Sequence, residues 1–240
     1  GWARAANIYS LNYSLLPGGS LSQAFQYVTE FHNYKLANIN TDTGFANPTL
    51  VIVSYADSAS IDPAQITSVT YQGNTVNGPF TADQLKQYGI LEPVENDVEV
   101  SLRSSAIDTE VTNAINAGII VVGTAGDQSA YADVPSGNNY NNHFVHNAVN
   151  YYYHRGPTPG AVPGVICVGA IDSTVQQQKA TYSGNGPRVD MFAPGSDQLA
   201  AVSSVLGIYT DITGLNAPTY TDPRNPKFYI GKGAGTAYAA

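Results

Sequence analysis

The sequence predicts an α/β protein: a doubly wound, mainly parallel sheet with helices on both faces, carrying a β-rich insertion. Three observations support this. Short apolar runs bounded by turn residues (Leu50–Val53, Ile119–Val122 and Gly164–Ala170) read as strands buried on both faces. Helical patterns alternate with these runs, as they must if parallel strands are to be joined. Residues 58–104 then interrupt the alternation with short strand-like runs and turn signals.

Asn7–Leu11 reads as a short strand and Pro17-Gly18-Gly19 as a turn. Ser20 is a good N-cap, and Gln23, three residues on, completes a capping box. Leu21, Phe25, Val28 and Phe31 or His32 follow at helical spacing, and the helix fades near Leu36 before a polar loop to Pro48. The strand Leu50–Val53 runs out into Ser54, Tyr55, Ala56 and Asp57. Within the insertion, Ile66–Tyr71 and Thr75–Val76 flank Gln72-Gly73-Asn74 as a hairpin. Thr81 and Gln84 form a second capping box, opening a short helix that stops at Gly89, and Val98–Leu102 is a further strand.

Ser105 caps the next helix, with Ile107, Val111, Ala114 and Ile115 as its buried stripe and Gly118 as its end. The strand that follows, Ile119–Val122, leads into Gly123, Thr124, Ala125, Gly126 and then Asp127. Small residues at the carboxyl end of a parallel strand let a ligand lie close to the backbone. The plainer reading is a core strand and a turn. Three long loops, Asn38–Pro48, Gln128–Pro163 and about Ser196–Lys227, read as irregular. Ala180–Ser183 and Val189–Phe192 read as short strands, and Ala193-Pro194-Gly195 as a break. There is no internal repeat.

The 240 residues suit one sizeable domain. With 10 Lys+Arg against 18 Asp+Glu and a net charge of -8, the chain lacks the basic face that nucleic acid or an anionic membrane requires. No apolar stretch approaches a membrane span. Only 12% of residues are charged, which points to a secreted or particle-associated protein rather than a cytoplasmic one. Cys167, alone and inside an apolar run, reads as a buried small hydrophobe. No signal peptide is visible, and a start at Gly1-Trp2-Ala3-Arg4 reads as the inside of a longer polypeptide. Nothing in the sequence sets an oligomeric state.

Six segments, in order, resemble the subtilisin-like serine peptidases (subtilases). Gly1–Leu11 is similar to the family's G-V-A-P-x-A-x-L-Y-x-V stretch, which follows its catalytic histidine helix. Val51–Tyr55 resembles the strand V-I-N-M-S-L along one wall of the substrate groove, and Ala117–Asp127 resembles the strand ending in A-A-G-N. Pro163–Asp172 resembles P-x-V-I-A-V-G-A-V-D, and Tyr182–Gly195 resembles F-S-x-x-G-P followed by D-V-x-A-P-G. Gly235–Ala239 is similar to the nucleophile turn G-T-S-M-A. The insertion and the run Tyr151–Gly156 look like those of subtilase-like proteins encoded by tailed bacteriophages.

The resemblance implies a subtilisin-like fold and cleavage of peptide bonds through an acyl-enzyme, needing a nucleophile, a histidine base oriented by a carboxylate, and oxyanion donors. The family's Asp and His fall ahead of the segment matched by Gly1. His32, on a helix after that segment, reads as a helix-face residue. Ala237 stands at the nucleophile position, where it has no lone pair to attack with. An engineered trap, a natural pseudoenzyme and a sequence variant all fit. Thr236 beside it is a poor substitute nucleophile and falls to the substrate side of the turn. Asp127 matches the oxyanion asparagine. Ionised, it only accepts hydrogen bonds; with an unperturbed pKa of about 3.9, donation near neutral pH needs burial or a partner that raises it. Sedolisins and one animal prohormone convertase carry aspartate there. The alternative is a loop carboxylate with no chemical role.

Ser54, Tyr55 and Ala56 match one groove wall and Thr124, Ala125 and Gly126 the other, and both walls would pair with an extended peptide or protein substrate. Tyr55 either narrows the primary pocket or packs on the insertion. His143 and His146 have a spacing that zinc can use, with His154 further on, but no Cys or Glu at ligand spacing joins them. Neither a metal nor a cofactor is indicated. The Asn/Tyr-rich loop reads either as solvated surface or as a glycan- or protein-binding surface. The reading that follows is a subtilisin-like endopeptidase domain without its Asp and His, or else an inactive module of the same fold that binds or builds, for instance in a phage virion.

Overall fold

The apolar runs lie side by side. In the computed structural model β1 (Leu50–Val53), β6 (Ile120–Thr124), β9 (Ile166–Ile171) and β10 (Met191–Pro194) form a sheet in that order, every neighbour parallel. The structure describes residues 6–12, 20–39, 47–90, 97–174, 176–202, 220–222 and 225–240. Residues 1–5 of the first motif, the turn Pro17-Gly18-Gly19 and parts of the loops 38–48 and 196–227 lie outside them.

Helix α1 (Leu21–Ala37) opens with the expected capping box of Ser20 and Gln23. It buries Leu21 and Phe25 against α3 (Ser105–Asn116), which contributes Val111 and Ala114, and against Val53 and Val121 of the sheet. Each such side chain contributes about 1.5–3 kcal/mol. The cap of α3 is Ser104 rather than Ser105, with no side-chain bond; Thr158 Oγ1 accepts from the Ser104 peptide instead. His32, on the buried face of α1, reaches Thr49 Oγ1 at 2.8 Å and the Ala117 carbonyl at 3.0 Å, tying the helix to the loops entering β1 and β6.

Both helices sit on one face. Leu50, Ile52, Ile120, Ile166 and Met191 alternate onto the other, where Leu50 and Ile52 are each 56% exposed. The expected burial on both faces is therefore not seen for β1 and the start of β6, whereas Val168 and Ala170 of β9, on the same face as Ile166, are buried as expected. An apolar run records what its residues tolerate, whereas the layers present determine whether they are covered.

Residues from two distant stretches build a satellite. β3 (Ile66–Tyr71) and β4 (Asn74–Asn77) form the expected hairpin, and α2 (Ala82–Gln87) has its Thr81–Gln84 capping box. β3 also pairs with β7 (His143–His146), which pairs with β8 (Val149–Tyr151), giving a four-stranded antiparallel sheet. β2 (Ser58–Ile61) and β5 (Val98–Ser101) form a ribbon beside it. Val69, Leu85, Val98 and Phe144 close one core, with Phe144 stacked on Tyr151 at 5.3 Å. The stretch 128–163, expected to be irregular, thus supplies two strands. At the neck, Leu102 N donates to Asp57 O, Asp57 N to Thr158 O and Thr158 N to Leu102 O, all at 2.8–3.0 Å. Arg103 pairs with Asp108 at 2.8 Å, and the Thr158 hydroxyl donates to Asp108 at 2.6 Å.

Other expectations are corrected. The described residues after Ser196 are not irregular: β11 (Gln198–Val202), β12 (Tyr220–Asp222) and β13 (Asn225–Gly233) form an antiparallel sheet. Ala180–Ser183 is a turn, because Ser183 Oγ accepts from Ala170 N and draws the chain off the ladder. β10 begins two residues later than expected and runs through Pro194, which the outermost strand tolerates because no ladder bond is lost. Asn7–Leu11 is not a strand: no described strand pairs with it, and its side chains are exposed. Cys167 is 1% exposed, and burial pushes its thiol up to about 11.

Candidate functional site

Two segments meet at the carboxyl edge of the parallel sheet. β6 ends at Thr124 and leads through Ala125 and Gly126 to Asp127, while β13 delivers the chain to Gly235 and the single turn α4 (Thr236–Ala239). Asp127 Oδ1 accepts from Thr236 N at 2.7 Å and from the Thr236 hydroxyl at 2.8 Å. A carboxylate oxygen receiving both donors of one residue fixes that residue's backbone and its side chain. Gly235 N donates to Gly195 O at 2.9 Å, and Tyr182 donates its hydroxyl proton to the same carbonyl at 2.7 Å. Ala237 thus follows a residue held in place by β6, the turn after β10 and Tyr182. The Thr236 hydroxyl is engaged by Asp127, and Thr236 itself is buried.

The two walls expected to flank a ligand are unequal. Ser54 and Tyr55 are exposed and Ala56 is half-buried, and the Ser54 and Ala56 peptides make no backbone–backbone bond among the described residues. On the other side, Ala125 N donates to Val168 O, Gly126 N to Thr124 Oγ1, and Gly126 O accepts from Gly184 N. That wall therefore does not offer those groups to a ligand, contrary to the expectation for both. It is held from behind: a Cβ on Gly160 would sit 2.0 Å from Thr124 O, and one on Gly184 would sit 2.2 Å from Ala125 O. Only glycine permits either approach.

Ala56, Pro157 and Gln128 crowd against Gly126 between the walls. A Cβ placed on Gly126 would meet Gln128 Oε1 at 2.7 Å, Pro157 Cγ at 3.5 Å and Ala56 Cβ at 3.7 Å. The Gln128 carboxamide fills this space, and its Nε2 donates to Glu99 Oε1 of β5 at 3.1 Å. Glu99 and Gln128 carry no local signal in the sequence; a strand-pairing register would be needed to place them here. Tyr55 donates its hydroxyl to Asp57 at the neck, 3.0 Å away.

The histidines lie elsewhere. His32 is at the opposite edge of the sheet, bound to Thr49 and Ala117. His143 reaches Asn141 O and His146 reaches Gln65, both within the satellite. His154 is buried there against Asn142, and desolvation lowers its pKa to about 4. Among the described residues no group of three His, Cys, Asp or Glu could hold a metal ion.

A family model for the subtilase family (peptidase S8) matches residues 49–240. The subtilisin-like protease 10 of Arthroderma otae is 27% identical over 191 residues, covering 75% of this chain and 42% of the relative. The extracellular serine proteinase of a Thermus species (strain Rt41A) is 28% identical over 171 residues, covering 71% and 34%. This chain thus spans less than half the length of these relatives. Among solved structures, a cold-adapted subtilisin-like serine proteinase matches with a TM-score of 0.33 at 20% identity, over 57% of this chain and 33% of that one. The prenylagaramide maturation protease PagA matches with a TM-score of 0.39 at 10% identity, over 90% and 44%.

Proposed function

Because the chain belongs to the subtilase family of serine proteases, we propose that it forms the peptide-binding and nucleophile-bearing part of a serine endopeptidase domain. The observation that carries this reading is the double hydrogen bond from Thr236 to Asp127 Oδ1. It holds the residue before position 237 against the segment that follows β6, at the carboxyl edge of the sheet.

In this reading an extended peptide lies along Ser54, Tyr55 and Ala56, adding to that wall as a strand. Its side chains reach toward Thr124, Ala125 and Gly126, which serve as a floor rather than a second pairing strand. Position 237 is where a serine would attack the scissile carbonyl. Alanine there leaves a groove that holds peptide without forming an acyl-enzyme. A histidine base comes from outside these 240 residues, since the four present are bound elsewhere. Asp127 Oδ1 is engaged as an acceptor, so the groups left to stabilise an oxyanion are backbone N–H donors.

Ala237→Ser, in a chain extended upstream through the family's Asp and His segments, hydrolyses an unfolded protein substrate. A folded variant that stays inert at every pH at which the fold survives sinks the reading. Ala237 itself favours a second reading, a non-catalytic module of the same fold used for binding or assembly, as in a virion. In that case the natural gene carries alanine at 237.

A further inference from the structure

Residues 156–162 are buried although they form neither helix nor strand. A buried irregular segment must find donors for its carbonyls away from any regular ladder. Arg188 supplies them. Its Nη2 donates to Val162 O and Val165 O, each at 2.8 Å, and to Gly160 O at 3.1 Å, and its Nε donates to Ala161 O at 3.2 Å. Its Nη1 pairs with Asp190 Oδ2 at 2.8 Å, and the same oxygen accepts from Cys167 N of β9 at 2.8 Å. The Arg188 side chain is only 11% exposed. One planar fork thus fastens four carbonyls to the parallel sheet, which the point charge of an ammonium does not do.

The fastened segment lies between the two walls. Thr158 O accepts from Asp57 N at 3.0 Å, directly after residues 54–56. Gly160 lies against the other wall: a Cβ on Gly123 would stand 2.9 Å from Gly160 Cα, and one on Gly160 would stand 2.0 Å from Thr124 O. Pro157 approaches Gly126 between them. The segment reaches both walls through its backbone, so its conformation sets how far apart they stand.

We propose that Arg188 is a positioning residue that sets the width of the groove between residues 54–56 and 124–126. The inference rests on the peptide-binding reading above. Arg188 does not touch the peptide; it acts through residues 157–165, whose carbonyls it gathers. A groove held at its working width before a peptide arrives has less ordering left to oppose binding. Without the fork, the carbonyls of residues 160–165 turn to other donors and the spacing is no longer fixed.

The test uses the chain as it is, with Ala237, so that bound peptide stays intact. A fluorescent peptide, selected from an unbiased library for binding to this chain, is titrated against the chain, Arg188→Ala and Arg188→Lys under conditions in which circular dichroism shows each to be folded. Both variants bind it about tenfold more weakly. Free guanidinium ion, at concentrations too low to unfold the chain, restores Arg188→Ala but not Arg188→Lys, whose ammonium occupies the place. Undiminished affinity in either folded variant, or a loss in Arg188→Ala that guanidinium leaves in place, overturns the assignment while the groove stands. Where Arg188→Ala does not fold, Arg188→Lys decides: weaker binding with faster amide exchange at Ala161 and Val162 supports the assignment, and unchanged binding overturns it. A chain for which the library yields no binder overturns the groove reading and this inference with it.

Discussion

In the satellite, Ile66, Val69, Leu85, Val98 and Phe144 are each at most 1% exposed, whereas in the parallel sheet Leu50, Ile52 and Ile120 stand about half in water. The contrast does not follow chain continuity. The satellite is assembled from two stretches on either side of α3 and β6, yet its core is closed. The sheet is made from the runs most apolar by inspection, yet α1 and α3 cover one of its faces, and on the other the carboxyl ends of β6 and β9 are buried while Leu50, Ile52 and Ile120 are not. A closed core fixes the satellite from within. The sheet is fixed by its ladder, by α1 and α3 on one face and by α4 against the carboxyl ends of β6, β9 and β10, where the groove residues hang.

The largest expected effect tests whether the satellite is a unit of its own. Phe144→Ala removes a fully buried ring stacked on Tyr151, and denaturant unfolding should show a loss of about 3–5 kcal/mol. Hydrogen exchange should place that loss in β3 and β7. Equal loss of protection in β1 and β6 would make the two regions one cooperative body and end the comparison.

A second effect comes from acid. His154 is buried in the satellite, with its pKa lowered from 6.5 to about 4. The unfolded chain therefore takes up a proton first as pH falls. This contribution to stability is complete above about pH 6.5 and is lost as pH drops toward 4, at about 1.4 kcal/mol per pH unit. Between pH 6.5 and 5 the satellite should lose about 2 kcal/mol, seen as exchange in β7, and His154→Gln should flatten that slope. A slope equally steep in the variant would assign the acid sensitivity to another group.

The smallest effect sharpens the other side of the comparison. Ile52→Thr, on the uncovered face, should change stability by less than about 0.5 kcal/mol in a denaturant titration. A loss of several times that amount would show that something covers Leu50, Ile52 and Ile120 in solution.

What could be read from the sequence was local chemistry. Both capping boxes, the 66–77 hairpin, the strand Leu50–Val53 and the end of the helix at Gly118 are set by neighbours in the chain. The meeting of Asp127 with Thr236, 109 residues apart, became legible only through resemblance, since no spacing rule joins them. The pairing of β3 with β7 was not legible. H-F-V-H is four residues long, and nothing in it names a partner more than sixty residues away. Ala180–Ser183 misled because its side chains suit a strand, while the Ser183 hydroxyl takes the Ala170 N–H that a strand's carbonyl would have taken. Glu99 and Gln128 are the sharpest case: a surface-like glutamate and a loop glutamine become neighbours only once β5 lies beside the segment after β6.

The chain's one cysteine gives the molecule a timekeeper. Cys167 is on β9, packed inside the parallel sheet and away from the satellite, with its thiol 1% exposed and its ionisation suppressed by burial to about 11. In the closed protein it is invisible to a thiol reagent, because the reactive species is the exposed thiolate. Each molecule labelled at neutral pH has therefore opened its sheet once, and the labelling clock ticks only for that half of the structure.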